Sequence, residues 1–127
     1  MRKFLKPVAY IYTLFIAVIC LMPMPHVSNT PKDSDKLIHL LGYFIFTIIW
    51  FLYFFLGAKT KNFKQSLIKC VGLSLVYGML IEIVQGVATV SRSADFKDLI
   101  ANSIGILTGV ILIFAMKSQF LQLKSKF

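Results

Sequence analysis

Acid is scarce in this chain. Of its 127 residues only five are Asp or Glu, against 14 Lys and Arg. That scarcity excludes an ordinary soluble domain, whose surface mixes charges of both signs over about a quarter of its residues. Cysteine is nearly absent as well. Cys20 and Cys70 fall near opposite ends of two apolar runs, too far apart to bridge, so both read as apolar packing residues and a disulfide-knit fold is excluded. No Ser-His-Asp set, phosphate loop or dinucleotide fingerprint is present. His39, Glu82, Asp95 and Asp98 offer imidazole and oxygen ligands to a divalent ion. Without a compact motif such as H-E-x-x-H, however, neither a metal nor a cofactor is predicted. The net charge of +9 does not imply a nucleic-acid partner, because the basic residues are short flanks of apolar runs and do not form one face interleaved with stacking aromatics.

Apolar residues are abundant, making up 57% of the chain, with 12 Phe. At roughly 20 residues per crossing, the length allows one domain with four spans. The reading is an all-α polytopic membrane protein, a single domain over residues 1–127. It is expected to be an antiparallel bundle of four transmembrane helices at about 7–22, 36–56, 67–85 and 98–116. The N-terminal run has the charge and apolar region of a signal peptide but no cleavage site, so it reads as a retained span, with Pro23 and Pro25 ending the helix. Basic clusters (Arg2, Lys3, Lys6; Lys59, Lys61, Lys64, Lys69; Lys117, Lys124, Lys126) alternate with near-neutral loops. The positive-inside rule then puts both termini in the cytoplasm of a multi-pass cell-membrane protein.

All five acids, Asp33, Asp35, Glu82, Asp95 and Asp98, and both histidines, His26 and His39, fall at or beyond the opposite, outer ends of the spans. Only twelve residues separate Lys69 from Glu82, so Glu82 lies inside the third span about one turn below its outer end. An ionisable residue there is a functional-site hypothesis by default. Helical spacing puts Gly78, Glu82 and Gln85 on one face, and Asp95, Asp98, Asn102, Gly105 and Gly109 on another. Asp35, Lys36, His39 and Tyr43 share a third. From these faces His39, Glu82 and Asp98 are the candidates for acid–base work. Asp35, Lys36, Tyr43, Gln85, Arg92, Asp95 and Asn102 are the candidates for binding. The bland alternatives stand beside them. Glu82 sets helix register by pairing with Arg92, Lys36 or His39; Asp95 and Asp98 cap the fourth helix; Asn102 bonds between helices; Tyr43 is an interfacial aromatic. Gly105 and Gly109 form a G-x-x-x-G pair for close helix packing.

The ordered pattern D-K-x-x-H-x-x-x-Y (Asp35, Lys36, His39, Tyr43), E-x-x-Q (Glu82, Gln85) and R-x-x-D-x-x-D-x-x-x-N-x-x-G-x-x-x-G (Arg92 to Gly109) resembles the VanZ-like membrane proteins. The resemblance covers about residues 35–109, and the first span matches only as a generic membrane helix. It implies a bacterial cell-envelope context, since the founding member is associated with teicoplanin resistance in Gram-positive bacteria, and it implies no particular reaction. The expected partners are membrane lipids and a lipid-linked or amphiphilic envelope ligand at an outer polar pocket, with oligomerisation left open. An interaction protein docking on an envelope enzyme through the Gly105 and Gly109 face is the alternative. A small proton-coupled transporter is a weaker third reading, because no polar path enters the inner leaflet.

Overall fold

The structure, a computed structural model, describes residues 2–21, 34–57, 62–88 and 96–126. They form α1 (Arg2–Leu21), α2 (Ser34–Leu52) continued by a π-helical turn (Tyr53–Gly57), α3 (Phe63–Ala88), α4 (Phe96–Ala115) and α5 (Lys117–Ser125). No strand occurs among the described residues. Four of the helices are long and apolar enough to cross a membrane. The first begins earlier than expected. Pro7 lies within α1, where its ring costs only the bond to a carbonyl one turn back. The third begins a turn early because Asn62 caps it, its Oδ1 accepting from the Gln65 amide at 2.8 Å. The expected helices end at about 116, but a further one, α5, follows Met116. Phe120 stacks edge-on against Phe51 at 5.2 Å, and the Lys124 ammonium lies 4.4 Å above the Phe55 ring, so an aromatic platform gives the segment a face to pack on.

From α1 to α4 consecutive helices run antiparallel, and the contacts fix their register. On α2 and α3, His39 faces Glu82, Tyr43 faces Gly78 and Thr47 faces Ser74. α2 and α4 run parallel and form the most extensive contact of the bundle. A Cβ added at Gly105 would run into the Leu40 carbonyl oxygen and lie 3.1 Å from the Phe44 nitrogen; one at Gly109 would be 3.3 Å from the Phe44 carbonyl. The G-x-x-x-G pair is therefore a seat for α2 of the same chain. α1 is fastened across the group: Tyr12 donates to the Gly42 carbonyl, Trp50 to Thr13 Oγ1, and Tyr77 to the Thr13 carbonyl.

Two apolar clusters fill the interior. Phe46, Phe51, Phe55, Leu56 and Ile113 belong to the one toward the basic end. Ile16, Cys20, Tyr43, Ile81 and Ile106 form the other, beneath the polar residues. The outward faces are apolar too, with Leu14, Val76, Met79, Ile83, Leu107 and Ile111 all exposed. An apolar exterior around a partly polar interior inverts the soluble pattern and suits hydrocarbon.

Candidate functional site

At the end of the bundle where α1 and α3 finish and α2 and α4 begin, all four helices contribute polar groups to one buried locus. His39 (1% exposed), Glu82 (4%), Gln85 (1%), Asp98 (5%) and Asn102 (2%) meet there. Each comes from the inward stripe of its helix. The stripe of α4 continues through Gly105 and Gly109, so the close seating of α4 on α2 is what brings Asp98 and Asn102 to His39.

His39 is the hub. Its Nδ1 lies 2.9 Å from Asn102 Oδ1. An amide oxygen only accepts, so Nδ1 is the donor, and a neutral imidazole then carries its lone pair on Nε2. Nε2 faces Asp98 Oδ2 at 3.8 Å, and Nδ1 is 4.0 Å from Glu82 Oε1. Both distances are too long for hydrogen bonds. The other Asp98 oxygen is held by the Lys36 ammonium at 3.0 Å, a close charge-assisted contact. One ligand atom from each of His39, Glu82 and Asp98 lies within 4.8 Å of the others.

The surroundings position this group. The Tyr43 ring stacks parallel to the His39 ring, 4° apart in plane with centroids 6.5 Å apart. Tyr43 is fully buried within the bundle. It goes inside because Gly78 leaves room: a Cβ there would lie 3.2 Å from Asn102 Nδ2 and 3.5 Å from the Tyr43 ring. Gln85 donates to the Cys20 carbonyl, tying the last turns of α3 and α1 together.

The structure thus brings together His39, Glu82, Asp98, Lys36, Asn102, Gln85 and Tyr43. Arg92 and Asp95, with the side chain of Asp35, lie outside the described residues. Cys20 is the participant that sequence reasoning passed over as packing. Its Sγ is 4.0 Å from His39 Nδ1, and the available signal was its depth, at the same end of its span as Glu82 is of its own.

Chemically, a carboxylate pair around a histidine can take up a proton, hold a cation or orient a polar head group. A shallow apolar groove lined by Phe96, Leu99, Ile100, Ser103, Ile104 and Leu107 runs along the outward side of α4, the helix that carries Asp98 and Asn102. Compared with known proteins, residues 9–117 match a family model described as VanZ/LLP1. No curated protein and no solved structure matches the chain.

Proposed function

The chain belongs to the VanZ/LLP1 family, and from that premise we propose that its buried polar site binds a lipid-linked or amphiphilic molecule of the cell envelope at head-group depth on the extracytoplasmic side. The observation that carries this reading is the convergence of His39, Glu82, Asp98 and Asn102, all at most 5% exposed, at one end of helices that are otherwise apolar. A structural bundle in lipid gains little from such a locus, since buried polar groups must find partners before they cost nothing. Two further features support the reading. Lys64, Lys69, Lys117 and Lys124 belong to the opposite end of the bundle, as the positive-inside rule asks of a cytoplasmic face. The groove on α4 gives a hydrocarbon chain a surface beside the polar end. Lys36 supplies positive charge for an anionic head group, and His39, Glu82 and Asp98 form the chemical centre.

The alternative, docking on an envelope enzyme through Gly105 and Gly109, loses its support because α2 of the same chain already covers both glycines. The test is thermal unfolding of the purified chain in nanodiscs with and without an anionic isoprenoid phosphate. A ligand at one hundred times its Kd stabilises by about 2.7 kcal/mol. We expect a rise in Tm that Glu82→Gln removes. An unchanged Tm in the wild-type chain sinks the reading.

A further inference from the structure

We propose that His39, Glu82 and Asp98 bind a single divalent transition-metal ion, of the kind represented by Zn²⁺ or Mn²⁺. This deepens the proposed function and rests on it only for what the ion would hold. The argument starts from His39. With Nδ1 donating to Asn102 Oδ1 at 2.9 Å, Nε2 points toward Asp98 Oδ2 at 3.8 Å and, in the uncharged form of the ring, presents a lone pair to it. Two acceptors facing one another in a low-dielectric interior repel unless a cation stands between them. A proton serves poorly, because an N–H pointing along 3.8 Å makes no hydrogen bond. A metal serves well: ligand atoms about 2.0–2.2 Å from a tetrahedral ion stand about 3.3–3.6 Å apart. The three side chains offer ligand atoms within 4.8 Å of one another, wider than the spacing around a bound ion, so the set closes by contraction on binding.

Two features of the same histidine point the same way. Nδ1–H held by a side-chain oxygen is the arrangement that fixes the tautomer of a metal-bound histidine, and Asn102 supplies it here. Second, His39 Nε2 is buried with no hydrogen-bond partner among the described residues. A buried lone pair without a donor is what a bound cation satisfies. One imidazole nitrogen with carboxylate oxygens suits Zn²⁺ or Mn²⁺ better than a thiolate-seeking ion. Three protein ligands leave further positions for water or for a phosphate oxygen of the head group.

The experiment uses the untagged full chain in nanodiscs, stripped with chelator, reloaded with Zn²⁺ or Mn²⁺ and passed through a desalting column. Metal per chain is measured by mass spectrometry and Tm by calorimetry. We expect about one ion per chain and a higher Tm on loading. In Glu82→Gln and Asp98→Asn the ion should be lost. Asn102→Ala should retain the ligands but bind about 10–100-fold more weakly. The exposed Ser118→Ala in α5 should bind as the wild type does. Wild-type chain that carries no ion after loading overturns the proposal, as does ion content unchanged in both carboxylate variants. Because the wild-type measurement decides alone, a variant that fails to fold does not obscure the outcome. Metal without an isoprenoid-phosphate shift would sink the ligand reading and leave the ion; a shift without metal would do the reverse.

Discussion

Asp98 divides its carboxylate between two neighbours, with one oxygen 3.0 Å from the Lys36 ammonium and the other 3.8 Å from His39 Nε2. The partners are unequally placed, the Lys36 side chain being 24% exposed and that of Asp98 7%. Removing the lysine as Lys36→Met leaves a nearly buried carboxylate uncompensated, a change that costs about 3–5 kcal/mol where burial is complete. Removing the acid as Asp98→Asn leaves an ammonium that can reach the interface along its flexible stem, so the penalty should be smaller. Combined, the two substitutions should recover part of the loss, with a coupling of about 0.5–3 kcal/mol in a double-mutant cycle. Unfolding in detergent measures this, and additive losses would mean that the pair does not interact in the folded chain. Most of this locus was legible in the sequence because charge within an apolar span is rare enough to stand out. Cys20 was not, since a small apolar residue in an apolar helix carries no mark of its neighbours. Nor was the choice of Asn102 as the group that orients His39, because helical spacing assigns a residue to a face and leaves its partner across the bundle open.

Among the helices, glycine decides how closely α4 approaches. At Gly105 the added methyl of an alanine meets backbone atoms of Leu40 and Phe44, which cannot rotate away as a side-chain tip can. Gly105→Ala should therefore destabilise the bundle by about 1–3 kcal/mol. Gly72, midway along α3, has nothing within 4 Å of an added Cβ. Gly72→Ala there should be neutral or stabilising by up to about 1 kcal/mol. Paired thermal melts check the contrast, and equal effects at the two positions would argue against the close seating of α4 on α2. The G-x-x-x-G spacing announced a close approach without saying which helix makes it. Short connections imply only that consecutive helices run antiparallel, whereas the decisive contact is between the non-consecutive, parallel α2 and α4. α5 escaped for a different reason. Its residues are polar on average, and the Phe120 and Lys124 contacts that hold it depend on Phe51 and Phe55 presenting their rings more than sixty residues earlier in the chain.

For the molecule as a whole, polarity is distributed along the bundle axis: most lysines at one end, carboxylates and histidine with Lys36 and Lys97 at the other, apolar side chains facing outward between. That asymmetry bears on envelope chemistry only if the His39 end faces outward, and a cellular assay can join orientation, site and family in one measurement. We expect a teicoplanin-sensitive Gram-positive host to become less susceptible when it expresses the wild-type chain, and to lose that protection with Glu82→Gln at matched membrane abundance. Glutamine preserves the shape of the side chain and removes its charge, so the loss would trace to the carboxylate and not to packing. Protection that persists in the variant would separate the resistance context from the site. Absence of protection in the wild type would remove teicoplanin from the reading while leaving the nanodisc and metal measurements to decide what the site holds. The three assays are informative together because they fail independently: one depends on the host envelope, one on a lipid head group, and one on three side chains and an ion.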